Sequence, residues 1–124
     1  MSSTTAPRRQ HIKFSSDWDK LKAPRFTTIR SWSGTKERFY REHIGEVSTI
    51  LRVPHEFAHP SKGRKVGEAT LRAVEKVAPR ELPMALVAND VRIGGVPSVR
   101  WIDKISAMDE GLLLTFENHT GLMS

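Results

Sequence analysis

The sequence predicts a small α+β protein built around a β-sheet or barrel. Short segments with alternating or β-branched residues are typical of strands, and they are mixed with segments whose apolar residues recur at helical spacing. The two kinds do not alternate steadily, as they would in a parallel β-α-β protein. At 124 residues the chain is long enough for one core. We therefore predict a disordered tail, residues 1–10, and a single domain, residues 11–124.

Four segments are predicted to be strands. The clearest begins at Arg25 and ends at Trp32, because it is rich in β-branched and aromatic residues. The last is a short apolar run that ends at Asn118, which is typical of a buried strand. The four predicted strands are residues 11–15, 25–32, 46–53 and 112–118.

Helices are predicted where apolar residues recur three or four positions apart. The helix of residues 35–45 is stopped by Gly45. The helix of residues 97–111 also ends at a glycine, although "SVRWI" within it is compatible with a strand. A helical turn is expected near residues 15–22, and a loop at 54–64 is bounded by prolines and a glycine. The predicted helices are residues 35–45, 66–77, 81–91 and 97–111.

The charge of the chain favours a polyanionic partner. The formal net charge is +6, and residues 1–80 carry 17 Lys and Arg against 8 Asp and Glu. An uneven basic surface is typical of proteins that bind nucleic acid, whereas the alternative is a well-solvated basic protein. The chain has no cysteine, which excludes thiolate catalysis, disulfides and cysteine-ligated zinc. It has no apolar run long enough for a membrane span and no secretory signal, so we expect no membrane association and a cytoplasmic location.

Residues 55–59 read HEFAH, the spacing with which zinc peptidases place two histidines on one helical face. That chemistry needs a helix, and Pro60 disfavours helical geometry at His59. A third ligand is missing from any familiar offset, with His119 and Glu68 as the available candidates. We therefore predict a loop and no metal or other cofactor. A zinc hydrolase that uses His55 and His59 is the less favoured alternative.

Residues 23–30, APRFTTIR, resemble the signature G-x-K-x-x-T-x-R of the ASCH family, a branch of the PUA-like β-barrels. Thr28 and Arg30 match the signature, Arg25 replaces its lysine, and Ala23 takes the place of its glycine. A short predicted helix before the motif and a predicted strand after it fit the family's order of elements. The resemblance spans about residues 11–118. It implies a small PUA-like barrel with flanking helices that binds RNA, a nucleotide or a modified nucleoside.

The residues of this motif suit such a ligand. Thr28 and Arg30 are two apart on a predicted strand, so their side chains share one face. Arginine offers a rigid fork of donors to a phosphate or a base edge, and a threonine hydroxyl both donates and accepts. Trp32 lies next on the same face and could stack a base. We predict a ligand site of Arg25, Thr28, Arg30 and Trp32. The alternative is that Thr28 and Trp32 are core residues, covered by the stem of Arg30.

Two basic clusters are predicted to contact phosphates near this site. The first interleaves cations with Phe39 and Tyr40, the mixture expected of a single-strand binding surface. The second lies in a loop with a glycine, where side chains and backbone N–H groups can bind phosphate. Either cluster is equally compatible with a solvated rim. The predicted phosphate contacts are Lys36, Arg38, Arg41, Lys62, Arg64 and Lys65.

An enzyme on the same scaffold is the main alternative. The resemblance extends to ribonucleases and to amidohydrolases of acetylated cytidine, and the latter use the signature lysine and threonine with a glutamate. Arg25 cannot lose its proton near neutral pH and cannot be a general base. Thr28 would be the nucleophile only with another base, and Glu46, Glu56 and Glu117 are the candidates by residue type. A structural interaction module without a pocket is a further alternative.

Overall fold

The computed structural model describes residues 10–55 and 57–119. The predicted tail therefore lies outside the described residues, except for Gln10, which begins the first strand. Three short 3-10 turns lie at Asp19–Lys22, Pro60–Lys62 and Pro79–Glu81. The strands and helices are β1 (Gln10–Phe14), β2 (Arg25–Ser31), α1 (Gly34–Glu42), β3 (Val47–Arg52), β4 (Arg64–Val77), α2 (Met84–Asp90), β5 (Arg92–Ile93), β6 (Val96–Pro97), α3 (Val99–Ser106) and β7 (Gly111–Asn118).

The main sheet has five strands in the order β1-β3-β4-β7-β2. Its pairs are antiparallel except for β1 and β3, which run parallel. The sheet curls into a half-barrel, and a side chain bridges its two edge strands. Arg30 Nη2 on β2 donates to the backbone oxygen of Lys13 on β1 at 2.9 Å. The fold is therefore mixed α+β around a curled sheet, as the sequence predicts.

The core fills the concave side of the sheet and the space under the helices. Phe26 and Phe116 stack with ring centroids 5.3 Å apart, and Phe14 meets Phe26 edge-on at 6.2 Å. Val87 of α2 and Ile105 of α3 are buried in the same cluster. Each large apolar side chain that is fully buried stabilises the fold by about 1.5–3 kcal/mol. Further fully buried aliphatic residues of this cluster are Ile12, Ile50, Leu71, Leu112 and Leu114.

The predicted helix of residues 66–77 is wrong, because this segment belongs to the 14-residue strand β4. Gly67, Ala69 and Leu71 are buried at alternate positions, as a strand requires, and Thr70 between them is buried as well. The register then shifts between Leu71 and Ala73, and the next buried residue is Val74. A bulge shifts the phase of an alternating pattern by one residue. That shift brought the apolar positions into apparent helical spacing.

The other predicted elements are confirmed with small differences at their ends. The four predicted strands correspond to β1, β2, β3 and β7, and three of the predicted helices correspond to α1, α2 and α3. Strand β2 ends at Ser31, so Trp32 lies outside it. Helix α3 ends at Ser106, and Gly111 begins β7 instead of ending the helix. In the described part of the chain no helix is long and apolar enough to cross a membrane.

Candidate functional site

A cavity of about 610 Å³ opens where the two edge strands of the half-barrel meet the helices. Its volume lies within the range of about 300–1,000 Å³ that is usual for ligand pockets. Its described walls carry five basic side chains, five aromatic rings and one carboxylate. The basic residues are Lys13, Lys20, Arg30, Lys36 and Lys104, the aromatic residues are Phe14, Trp18, Tyr40, Phe57 and Trp101, and the carboxylate is Asp90.

Thr28 and Arg30 both line this cavity, as the alternation along β2 predicts. Arg30 Nε donates to Thr28 Oγ1 at 3.2 Å, and the guanidinium carbon lies 4.7 Å from the centroid of the Phe14 ring. Burial lowers the pKa of Arg30, yet a guanidinium remains protonated at neutral pH. None of the ion pairs formed within the described residues involves Arg30. The cavity therefore contains a half-buried positive charge that makes no ion pair with a carboxylate of the described residues.

Lys20 and Asp90 form a buried ion pair in the same cavity. Lys20 is 7% exposed and Asp90 is 2% exposed. The Nζ of Lys20 lies 3.3 Å from Oδ2 of Asp90, and the hydroxyl of Thr27 donates to Oδ1 at 2.5 Å. Burial lowers the pKa of Lys20 to about 8, although the charge of Asp90 opposes this shift. Burial likewise raises the pKa of Asp90 against the influence of Lys20. Burial thus opposes the charged form of both members of the pair.

The position of Lys20 is fixed by its neighbour Asp19. Both carboxylate oxygens of Asp19 accept hydrogen bonds at 2.8 Å, from the backbone N–H groups of Gly94 and Gly95. These glycines have positive φ values and form the tip of the β5–β6 hairpin. The two hydrogen bonds are also the main reason why the pKa of Asp19 is lowered. The hairpin thus anchors the 3-10 turn that carries Lys20 into the cavity.

The other two residues of the predicted ligand site lie outside the cavity lining. Arg25 is exposed and pairs in register with Glu117 of β7. Its odd position places it on the opposite face of β2 from Thr28. Trp32 lies beyond the end of β2, where its Nε1 donates to Glu37 Oε1 at 2.8 Å and Lys76 Nζ lies 4.0 Å from its ring centroid. The structure therefore brings together only Thr28 and Arg30 of the four.

The first basic cluster, on α1, divides between two surfaces. Lys36 lines the cavity and donates to Ser31 Oγ at 2.9 Å. Arg38 and Arg41 lie instead beside a shallow groove on the outer side of α1. Arg41 is paired with Glu37 at 2.8 Å. Only Lys36 of this cluster is thus in place to reach a ligand in the cavity.

The second basic cluster lies outside the cavity. Lys62 and Arg64 are exposed, and Lys65 is paired with Glu68 at 3.2 Å. Arg64 stands opposite Arg52 in the β3–β4 register, and Arg52 stands opposite Phe14 of the cavity wall. The cluster therefore lies at the same end of the sheet as the cavity. It can contact only a ligand that extends beyond it.

Residues 55 and 57–59 form a turn, in which the backbone N–H of Ala58 donates to the oxygen of His55 at 3.0 Å. His59 Nδ1 accepts from the backbone N–H of Ser61 at 3.1 Å. The helix that a zinc peptidase motif requires is not formed by these residues. Within residues 10–55 and 57–119, no three His, Asp or Glu side chains are arranged to bind one metal ion.

The candidate glutamates do not reach the cavity. Glu46 is exposed, and Glu117 accepts from Arg72 Nε at 2.8 Å. Glu56 lies outside the described residues. The acidic group in the cavity is Asp90, which the sequence analysis did not single out. A signal was available, because Asp90 stands in the largely apolar segment "ALVANDV" that also contains the buried residues Val87 and Val91.

Comparisons with protein-family models, with curated proteins and with solved structures found no match to this chain.

Proposed function

We propose that this chain is an ASCH-type, PUA-like domain that binds RNA, a nucleotide or a modified nucleoside in the cavity. The observation that carries this proposal is the combination of an excess of cations with aromatic walls in one enclosed volume. Phosphate groups require the first feature, and nucleobases are stacked by the second. The matches at Thr28 and Arg30 of the ASCH signature support the same proposal, since both side chains line this cavity.

The anionic part of the ligand is expected at Arg30. Two of its N–H groups donate to Thr28 and Lys13, which leaves other donors of the fork for a ligand. Lys13, Lys36 and Lys104 also line the cavity and raise its positive potential. A phosphate in this position would be a direct ion-pair partner for Arg30, which the nearby carboxylate of Asp90 influences only through space.

The base is expected between the aromatic walls. Trp101 is partly buried, and its ring is held by an edge-on contact with Trp18 at a centroid distance of 5.8 Å. Phe57 lines the cavity although it is 84% exposed. A partly buried ring and an exposed ring in the lining of one cavity suit a planar ligand that enters from solvent. Stacking of this kind contributes about 1–3 kcal/mol per base.

Binding of a nucleotide and of a short RNA tests the proposal directly. Adenosine monophosphate, cytidine monophosphate and a single-stranded RNA hexamer would be titrated while tryptophan fluorescence is followed, because Trp101 lies in the cavity wall. Lys104→Gln is expected to weaken binding several-fold, and Arg30→Gln roughly tenfold or more. Arg100→Gln is the matched control, since Arg100 is exposed on the same helix as Lys104 and lies outside the cavity lining.

Four outcomes separate the possibilities. Binding of the mononucleotides with the expected order of variants supports a nucleotide site, and binding of RNA alone supports a polymer site. Equal affinity of Arg30→Gln and Arg100→Gln for every ligand would show that the cavity is not the binding site. Failure of the natural chain to bind any of these ligands would overturn it.

A hydrolase on the same scaffold is the second candidate, and Lys20 favours it. The amidohydrolase-type mechanism needs a base beside the threonine, which Arg25 cannot be. Lys20 lines the same cavity as Thr28 and has a pKa lowered to about 8 by burial. Its amine is therefore partly neutral near pH 8 and can accept a proton. Release of acetate from N4-acetylcytidine, abolished by Thr28→Ala with little loss of nucleoside binding, is the expected result for this candidate.

A further inference from the structure

We propose that Lys20 is a nucleophilic amine that forms an imine with a phosphorylated aldehyde or ketone held in the cavity. This activity does not depend on nucleotide binding, although it uses the same cavity. It follows from three features of the cavity: an amine in its wall, a carboxyl group in contact with that amine, and a separate cationic group for the phosphate.

The amine and its carboxyl partner form a closed unit. Lys20 and Asp90 both line the cavity and are almost inaccessible from bulk solvent. Their charged atoms lie 3.3 Å apart, and Asp90 Oδ2 makes no well-aligned hydrogen bond within the described residues. The other oxygen, Oδ1, is fixed by the hydroxyl of Thr27. Transfer of one proton from Nζ to Oδ2 gives a neutral amine beside a carboxylic acid, without any change in the total charge of the pair.

Imine formation uses both members of this pair. The lone pair of Nζ attacks the carbonyl carbon, and a proton then passes from nitrogen to oxygen to give a neutral carbinolamine. Asp90 donates its proton to the carbinolamine hydroxyl, the C–O bond breaks, and water leaves. The nitrogen lone pair forms the C=N bond, so the protonated imine is paired with the Asp90 carboxylate. The step consumes one carbonyl compound, releases one water and needs no oxidant or reductant.

The charges of the cavity favour a substrate that carries a phosphate. Lys20 Nζ lies 5.5 Å from the centroid of the Phe14 ring, and the Arg30 guanidinium lies 4.7 Å from the same centroid. Lys20 is engaged by Asp90, whereas Arg30 has no ion-pair partner among the described residues. Arg30 can therefore bind the phosphate group while Lys20 reacts with the carbonyl group of the same substrate. The lowered pKa of Lys20 supports these two roles, because only a neutral amine is nucleophilic.

Reductive trapping tests the proposal on the natural chain. The protein would be incubated with pyridoxal 5′-phosphate at pH 7.5, reduced with sodium borohydride and mapped by peptide mass spectrometry. We expect the adduct at Lys20 to exceed that at any other lysine by roughly tenfold or more, since ordinary lysines are almost fully protonated at this pH. Pyridoxal without the phosphate is expected to label Lys20 at least several-fold less, because it lacks the anion for Arg30.

Matched variants separate the roles of the three groups. Lys22→Met, an exposed position two residues away, is expected to leave the labelling unchanged. Asp90→Asn is expected to slow imine formation while Lys20 remains present, and Arg30→Gln is expected to abolish the preference for the phosphorylated aldehyde. Modification spread over exposed lysines with Lys20 unlabelled would overturn the proposal, and this result requires no variant to fold. Labelling of Lys20 in a chain that binds no nucleotide would support imine formation at Lys20 and would contradict the proposed nucleotide binding.

Discussion

The Lys20–Asp90 pair makes the stability of this protein depend on pH in the alkaline range. The pKa of Lys20 is about 8 in the folded state, against an ordinary value near 10.4. Below about pH 8 both states hold the proton, and the folded state bears the cost of the buried charge. Between the two pKa values the unfolded state binds more protons, so the free energy of unfolding rises with pH.

The pH dependence of the free energy of unfolding can be measured against a reference that lacks both titrating groups. This reference is the double variant Lys20→Met/Asp90→Asn. From pH 7 to pH 10 we expect the natural chain to gain about 2 kcal/mol relative to this reference. Urea unfolding at several pH values measures the difference. The control Lys22→Met is expected to follow the natural chain. A difference that stays flat or falls over this range would contradict the assignment of Lys20 as a buried, partly neutral amine.

Phe57 is a strongly exposed aromatic residue that the proposed ligand would cover. The loop that carries Phe57 is anchored by the buried residues Val53 and Ala58. In addition, Lys13 Nζ donates a hydrogen bond to the backbone oxygen of Ala58 at 2.9 Å. The ring itself projects from this anchored base and is 84% exposed. It thus lines the cavity without contributing to the core.

Phe57→Ala is expected to weaken nucleotide binding by about 1–3 kcal/mol, the usual contribution of one stacked base. The free energy of unfolding is expected to change by less than about 0.5 kcal/mol, as is usual for surface positions. Phe39→Ala is the control, because Phe39 is an exposed ring on α1 outside the cavity lining. Unchanged affinity in Phe57→Ala, in a chain that does bind nucleotides, would show that the ring has no part in binding.

Strand β7 depends on a glycine at its first residue. A Cβ atom at Gly111 would lie 2.6 Å from Pro79 Cγ and 3.0 Å from the backbone oxygen of Arg30. Both neighbours are stiff, since one belongs to a proline ring and the other to the backbone of β2. The close approach lets β7 pair with β2 at Ser31 and with β4 at Val77.

Gly111→Ala is therefore expected to destabilise the fold by about 1–3 kcal/mol, the usual cost of overpacking. Gly34→Ala is the matched control, because Gly34 begins α1 and a Cβ atom there would contact nothing within 4 Å. Alanine is the better helix former, so this control is expected to be neutral or slightly stabilising. Thermal unfolding of both variants measures the effect, and equal melting temperatures would contradict it.

Most elements could be predicted from the sequence, because their patterns are local. Strand β2 shows alternation and β-branched residues, and α1 begins with a capping serine, Ser33, whose hydroxyl accepts from the backbone N–H of Lys36 at 3.1 Å. Strand β4 could not be predicted, since its bulge is produced by pairing with β7, a distant segment. A local pattern does not distinguish a phase shift in a strand from the period of a helix.

At the scale of the whole molecule, the basic surface extends beyond the cavity. Lys62 and Arg64 are exposed at the same end of the sheet, where a polymer that leaves the cavity would meet them. Affinity for a single-stranded nucleic acid falls with salt in proportion to the phosphates contacted, with a slope of about −0.7 for each.

We therefore expect the double variant Lys62→Gln/Arg64→Gln to reduce the salt slope of RNA binding by about one unit, and to leave mononucleotide binding unchanged. Binding measured from 50 to about 300 mM KCl gives the slope. Arg100→Gln is the control, because Arg100 is exposed on α3 and lies outside the cavity lining. A slope that does not change would mean that RNA does not pass over this cluster.

Only part of the candidate site could be predicted from the sequence. Thr28 and Arg30 belong to one strand, so the alternation of that strand predicts their common face. Lys20 and Asp90 are 70 positions apart in the sequence, and only the tertiary fold brings them together at 3.3 Å. The resemblance to the ASCH signature places Arg25 in the predicted site, because Arg25 stands at its lysine position, and the continued alternation of the predicted strand places Trp32 there. In the structure, Arg25 lies on the opposite face of β2, and Trp32 lies beyond the end of this strand at Ser31. Both residues therefore lie outside the cavity lining.

The parallel pairing of β1 with β3 has a consequence for the order of folding. Lys13 and Phe14 of β1 form part of the cavity wall, but their partner residues on β3 are made almost forty residues later during synthesis. The antiparallel strands β3 and β4 are nearer neighbours in the chain and can associate first. Closing the longer loop costs more entropy and slows contact formation. The pairing of β2 with β7 closes a longer loop still, because Ser31 and Gly111 are paired across 80 positions. The β2 wall of the cavity, which carries Thr28 and Arg30, is thus among the last parts of the nascent chain to dock, and ligand binding reports on completed folding.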